Sequence, residues 1–155
     1  MTTFHADTEH DLKPALEQFE NCLIAPVMAG ELLNWTSEVQ AAWCDCVAQV
    51  REHLRELHPR QYKQISKEDP ELLPRTEKLQ DADANLEEDC EEFERTLHRF
   101  AEHAPKFEPD EEKISSHVRS LVDGGVALVT SIRKQEAAVQ AWFVEAFNRD
   151  RGVGD

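Results

Sequence analysis

The feature that most constrains this sequence is a set of apolar residues that recur at alternating steps of four and three. The clearest stripe covers roughly 30 residues, the length of a long helix. Its members are Leu72, Thr76, Leu79, Asp83, Leu86, Cys90, Phe93, Leu97 and Phe100. This spacing places all of them on one face of a helix, and no sustained period-two alternation marks a strand anywhere in the chain. We therefore expect an all-helical protein.

Two further segments carry the same helical period. The second stripe consists of Val39, Trp43, Cys46, Val50, His53 and Leu57. Pro59 follows it and is expected to kink or end that helix, because proline lacks a backbone donor. A fourth segment is expected to begin at Asp110 and to stop near Gly152, with Gly124 and Gly125 marking a bend or a close helix approach. The third segment, described first, is expected to end at Pro105 or Pro109.

The first segment has the weakest pattern. Its apolar stripe consists of Leu12, Leu16, Phe19 and Leu23. Asp7 or Asp11 is expected to cap it, Pro14 limits a regular start, and Pro26 ends it. Four amphipathic segments with short links predict a single domain over residues 1–155, an all-α antiparallel up-down four-helix bundle.

The charge of the chain restricts its partners. The net charge is −15 at pH 7, which argues against binding nucleic acid or an anionic membrane surface. The N-terminal segment lacks the apolar run of a signal peptide, and no apolar stretch approaches the roughly 20 residues of a membrane span. We expect a cytoplasmic protein whose four cysteines, Cys22, Cys44, Cys46 and Cys90, are unpaired and do not form a zinc site.

Apart from Thr76, each predicted helix carries one polar residue on its apolar stripe. These residues are Glu9 or His10 on the first helix, His53 on the second, Asp83 on the third and Gln135 on the fourth. Metal sites in bundle cores are built in this way, but this set is too small for a di-metal centre. It leaves two readings: a single ion bound by His53, Asp83 and His10, or a neutral His53 hydrogen-bonded to Asp83 or Gln135. His58 is expected to point away from the stripe.

The central and C-terminal parts of the chain resemble hemerythrin-like (HHE cation-binding) domains. The resemblance rests on "REHLRELHPRQYKQISKEDPELLPRTEKLQDAD" and on "QEAAVQAWFVEAFNRDRGVGD". It implies a helix-2 motif of histidine followed four residues later by glutamate, a third-helix Leu-x-x-Glu-His motif, and a last helix with a His-Glu and a further glutamate. The family fold that it implies is a four-helix bundle around two irons.

Most ligands that the resemblance implies are missing. His53 matches the second-helix histidine, but Leu57 stands where its glutamate partner belongs. Asp83 replaces the third-helix histidine and Gln135 the fourth-helix histidine, and Val139 replaces the last glutamate. Leucine and valine cannot bridge irons, so the resemblance implies the fold while these departures argue against di-iron chemistry.

The function expected from these observations is therefore not enzymatic. The favoured hypothesis is a bundle that has lost its di-iron site, binds no cofactor and acts as an interaction or regulatory module for a protein partner. The alternative is a divergent metal-binding or oxygen-responsive protein with a remodelled site for iron or another divalent metal. Trp142, Phe143 and Phe147 broaden the apolar face of the last helix, which leaves room for a homodimer contact.

Overall fold

The chain is helical throughout the described residues. In the computed structural model the backbone is described for residues 3–28, 30–107 and 110–153, and side chains for 12–28, 30–107 and 110–148. The elements are α1 (Thr3–Ile24), α2 (Leu32–Glu52), a π-helical turn (His53–Leu57), α3 (His58–Glu68), a 3-10 turn (Pro70–Leu72), α4 (Leu73–Phe107) and α5 (Glu111–Val153). No strand occurs in these ranges, so the prediction of an all-α chain is confirmed.

The predicted helix boundaries are correct at some ends and wrong at others. Asp110 caps α5, since its Oδ1 accepts from the backbone N–H groups of Glu112 at 3.1 Å and Lys113 at 3.3 Å. The kink or end predicted at Pro59 falls at a change of helix type: α2 ends at Glu52, the π-helical turn follows, and α3 begins at His58 with Pro59 in its first turn. Proline at the first turn of α3 is tolerated there.

Two other predicted helix ends also differ. Pro14 lies inside α1, which begins at Thr3, so Asp7 and Asp11 lie within that helix and do not mark its start. Pro105 lies inside α4, which ends at Phe107, between the two prolines expected to end this segment; Pro109 lies outside the described residues. In both helices the missing proline donor removes one backbone hydrogen bond, and this loss does not end the helix.

The described residues form two compact units. The first comprises Met1–Val50 and Asp89–Val129, and the second comprises Arg51–Glu88 and Thr130–Asp155. α2, α4 and α5 contribute residues to both units. That residues 1–155 form a single domain stays a prediction.

An aromatic cluster lies at the centre of the first unit. The ring centroids of Phe93 and Trp43 are 4.8 Å apart, and those of Phe19 and Trp43 are 5.3 Å apart. Phe19 and Phe93 pack edge to face at 5.7 Å. Aromatic pairs in these arrangements add about 0.5–1.5 kcal/mol each beyond the area that they bury. The cluster joins α1, α2 and α4 within this unit.

A glycine allows α5 to approach this cluster closely. A Cβ atom at Gly125 would lie 2.6 Å from Cδ1 of Leu23 and 3.3 Å from Cε2 of Phe93. A side chain at this position would therefore push against two buried groups. The sequence predicted a bend or a close approach at this glycine pair, and the structure has the close approach at Gly125.

The second unit has a smaller apolar cluster. Its buried members are Tyr62, Ile65, Leu72, Leu79, Val139 and Ala146. Trp142 and Phe143 are partly buried against it, and the guanidinium carbon of Arg75 lies 4.5 Å from the centroid of the Trp142 ring. Phe147 packs on Phe143 with ring centroids 4.9 Å apart. These aromatic residues thus make contacts within their own chain, and a homodimer through them stays a prediction.

Candidate functional site

A π-helical turn brings two histidines of the second unit to the same side of the helix. The backbone N–H of His58 donates to the carbonyl of His53, five residues earlier, in place of the usual partner four residues earlier. The extra residue in this turn brings His53 and His58 onto one face, with ring centroids 6.1 Å apart. Pro59 has no N–H with which to continue a regular ladder, which favours this local register.

His58 is fully buried and bonds to a carboxylate of α4. Its Nδ1 lies 3.0 Å from Oδ1 and 3.1 Å from Oδ2 of Asp83. The Tyr62 hydroxyl donates to Oδ2 of the same carboxylate at 2.7 Å, and Nε2 of Gln135 donates to Oδ1 at 2.8 Å. Gln135 Nε2 also donates to the Leu79 carbonyl at 2.9 Å. Asp83 is thus held by donors from α3 and α5, which fixes its position within the unit.

Glu136 of α5 lies between the two imidazoles. Its Oε2 is 3.2 Å from Nδ1 of His53, and its Oε1 is 2.8 Å from Nε2 of His58. Its side chain is 27% exposed, whereas His53 and His58 are 1% and 0% exposed. The polar network therefore runs from the partly exposed Glu136 through His58 to the buried Asp83.

The charges in this network shift the pKa values of its members. Burial alone would lower the pKa of His58, but the hydrogen bond to Asp83 and the contact with Glu136 outweigh it and raise that pKa to about 9. Burial alone would raise the pKa of Glu136. The hydrogen bonds and charges of His53 and His58 outweigh the effect of burial and lower this pKa to about 2. Burial and the adjacent Asp83 carboxylate raise the pKa of the Tyr62 hydroxyl. An imidazolium between two carboxylates is the arrangement that these shifts favour.

One nitrogen in the network is poorly satisfied. His58 Nε2 is buried and has no hydrogen bond of acceptable geometry to any described residue. Glu136 Oε1 is only 2.8 Å away, so the contact is electrostatic and the N–H direction is not aligned with the oxygen. The carboxylate therefore balances the charge of the ring, while the misaligned N–H makes this contact weaker than an ideal charge-assisted hydrogen bond.

The structure brings three of the predicted site residues into one region. His53, Asp83 and Gln135 belong to this network, and Asp83 and Gln135 bond to each other. Leu57 and Val139 are buried, at 4% and 1% exposure, and Val139 belongs to the apolar cluster of the second unit. Glu9 and His10 lie in α1, but they fall outside the residues whose side chains the structure describes.

The expected orientation of His58 is wrong. The sequence pattern predicts that it points away from the apolar stripe, yet it is fully buried and bonds to Asp83, one of the two partners expected for His53. The physical reason is the π-helical turn, which adds one residue to the helical repeat. Glu136 was missed because it follows Gln135 and lies beside the stripe. The available signal was the five-residue spacing of two histidines directly before a proline.

A pair of irons does not fit these residues. The resemblance requires carboxylates at positions 57 and 139 to bridge the metals, and buried aliphatic side chains occupy both. The Gln135 amide nitrogen is already committed to Asp83 and to the Leu79 carbonyl. The two positions at which the resemblance places bridging carboxylates therefore offer no metal-binding atom.

Comparisons with known proteins do not identify this chain. No family model matches it, and neither the curated proteins nor the solved structures include a match. Within the described residues, no helix has both the length and the apolar character required to cross a membrane.

Proposed function

We propose that this chain is a non-catalytic helical module that acts by binding a protein partner and does not perform di-iron chemistry. The fold proposed for it is an antiparallel up-down, hemerythrin-like four-helix bundle. The observation that carries the proposal is the burial of Leu57 and Val139, at 4% and 1% exposure, where the resemblance requires carboxylates. Because neither side chain can bind a metal, the reaction centre implied by the resemblance is missing two bridges.

The fold proposal is supported by the short links and by packing within the first unit. Residues 25–31 join α1 to α2, and residues 108–110 join α4 to α5. Links this short favour neighbouring helices that run in opposite directions. Within this unit the aromatic cluster joins α1, α2 and α4, and Gly125 brings α5 against the same residues.

A role in binding is supported by apolar side chains that the chain leaves exposed. Ile24, Met28 and Leu33, at the end of α1, in the link and at the start of α2, are 59%, 62% and 53% exposed. Large exposed apolar side chains that lie close together in the chain are typical of interaction surfaces. The net charge of −15 favours a partner with a basic surface.

Metal and oxygen measurements test the absence of di-iron chemistry. The full chain is purified from iron-supplemented cells, its iron content is determined, and its absorption is recorded before and after exposure to air. We expect fewer than two irons per chain and no oxygen-dependent charge-transfer band. Two irons per chain, with a band that is lost in His53→Ala, would contradict the proposal.

A partner assay tests the binding role. Immobilised wild-type chain and an Ile24→Ser/Met28→Ser/Leu33→Ser variant are compared for proteins retained from a lysate of the source cells. The matched control is Leu73→Ser/Val144→Ser, which removes two other exposed apolar side chains, at 49% and 46% exposure, and leaves these three unchanged. We expect a protein that both the wild type and the control retain and that the triple variant loses. Equal retention by all three chains would show that this surface does not bind the partner.

A further inference from the structure

Three side chains in the second unit converge with the spacing of metal ligands. His53, His58 and Glu136 each offer one ligand atom, and these atoms all lie within 4.8 Å of one another. The two contacts to Glu136 are 3.2 and 2.8 Å. Ligands arranged tetrahedrally at zinc–nitrogen distances of about 2.0–2.1 Å are roughly 3.3 Å apart. The two contacts, each to a different oxygen of Glu136, are close to this separation, and the limit of 4.8 Å for the whole set requires only small side-chain shifts around one ion.

The poorly satisfied nitrogen of His58 is an independent indication of a ligand. His58 is fully buried, and its Nε2 lacks an aligned hydrogen bond to any described residue although it lies beside the Glu136 carboxylate. A metal ion would displace the proton from this nitrogen and bind its lone pair, with the Glu136 carboxylate as the neighbouring ligand.

The other nitrogen of His58 has the environment of a metal-binding histidine. Its Nδ1 donates to Asp83, which Tyr62 and Gln135 hold in place at 2.7 and 2.8 Å. A carboxylate bonded to one ring nitrogen orients the imidazole and makes the opposite nitrogen a stronger ligand. Asp83 is thus a positioning residue for this site and not a ligand itself.

From this geometry we infer that His53, His58 and Glu136 form a site for a single divalent transition-metal ion. Two imidazole nitrogens and one carboxylate oxygen suit zinc or iron(II), whereas calcium and magnesium prefer oxygen ligands alone. Two of the three ligands, His58 and Glu136, differ from those that the sequence suggested for a single ion. The inference goes beyond the proposed function, since a module without a di-iron pair can still hold one ion.

The proposed site is partly exposed at Glu136, and its ligand count would leave a coordination position open. Glu136 is 27% exposed, whereas both histidines are buried, so the carboxylate is the side from which an ion enters. Three protein ligands leave at least one position for water or a small exogenous ligand. The ion would connect the π-helical turn and α3 to α5 within the second unit, and it should therefore stabilise this unit.

Metal titration of the full chain tests the site. Chelator-treated protein, freed of chelator, is titrated with Zn²⁺ by calorimetry and with Co²⁺ by visible absorption. We expect one ion per chain and a Co²⁺ spectrum of nitrogen and oxygen ligands without thiolate charge transfer. Glu136→Gln and His58→Gln should each raise the Kd at least about tenfold, and Asp83→Asn should raise it by about 10–100-fold with unchanged stoichiometry.

Matched controls separate this site from surface binding and from misfolding. His98→Ala removes a histidine that is 72% exposed and pairs with Glu102, so it should leave the Kd unchanged. Circular dichroism and thermal melts establish that each variant is folded, and Glu136→Gln is the mildest because that side chain is partly exposed. Three results would overturn the site: no saturable binding, binding unchanged in both Glu136→Gln and His58→Gln, or a thiolate spectrum. Finding two irons per chain would instead overturn the proposed function.

Discussion

The two units bury different chemistry. The first is organised around the rings of Phe19, Trp43 and Phe93, which pack without any need for charge. The second places an imidazole, His58, between the carboxylates of Asp83 and Glu136. Apolar packing is non-directional, whereas a buried ionic network stabilises the fold only if each partner is present and aligned. The stability of the first unit should therefore be most sensitive to substitutions that change side-chain shape, and that of the second to substitutions or pH changes that alter charge.

The largest effect should come from removing the imidazole between the acids. His58→Leu leaves Asp83 buried with no cation beside it and should lower the free energy of unfolding by about 3–5 kcal/mol. Asp83→Asn keeps acceptor and donor atoms for Tyr62 and Gln135, and it removes the charge. The double variant should therefore lose much less than the sum of the two single variants. Urea unfolding of chelator-treated wild type, both single variants and the double variant measures this coupling.

A surface histidine supplies the control for this coupling. His98→Leu combined with Asp83→Asn should be additive within about 0.5 kcal/mol, because His98 is 72% exposed and pairs with Glu102. Additive losses for His58→Leu and Asp83→Asn as well would mean that the two residues do not share a network.

The next effect is a dependence of stability on pH. The pKa of His58 is raised from 6.5 to about 9, so its stabilising contribution is complete below pH 6.5 and is lost as the pH rises through 9. The pKa of Glu136 is lowered from 4.5 to about 2, so its contribution is complete above pH 4.5 and is lost as the pH falls through 2. The metal-free protein should be most stable between these limits. From pH 6 to pH 9.5 the free energy of unfolding should fall by about 3 kcal/mol from His58.

A His58→Gln variant isolates this contribution. Other groups also titrate over the same interval, so the relevant quantity is the difference between the wild-type and variant pH profiles of urea unfolding. The groups that face His58 are Asp83 on α4, Glu136 on α5, and His53 and Tyr62 on its own helical stretch. Parallel profiles for the two proteins would show that His58 is not charged in the folded state.

The contrast between the units also explains what the sequence could predict. The helices follow from local four-and-three spacing, and burial of Leu57 and Val139 follows from their places on apolar stripes. The partners of the polar residues depend on the register of a single turn. Because the π-helical turn adds one residue, His58 lies on the same face as His53. In a regular helix that face would be occupied by a residue four positions after His53. The apolar stripes could not identify Glu136, because this residue lies beside the stripe of α5. Its long side chain reaches His53 and His58 from there.

The smallest effect concerns shape in the first unit and uses two adjacent glycines of α5. A Cβ at Gly124 would meet nothing within 4 Å, so Gly124→Ala should stabilise the protein by about 1 kcal/mol through helix propensity. At Gly125 the Cβ would lie 2.6 Å from Cδ1 of Leu23 and 3.3 Å from Phe93. The resulting overpacking, at about 1–3 kcal/mol, should exceed the gain in propensity and leave Gly125→Ala less stable than wild type by about 1 kcal/mol.

Thermal and urea unfolding of the two alanine variants measure this difference, and neither substitution changes a charge. The difference between the variants should therefore be the same at pH 6 and pH 9.5, unlike the response of His58. A Leu23→Ala change combined with Gly125→Ala should recover stability relative to Leu23→Ala alone, because the truncated side chain makes room for the new methyl group. If Gly125→Ala is as stabilising as Gly124→Ala, Leu23 yields easily, and the first unit is less tightly packed around α5 than its geometry indicates.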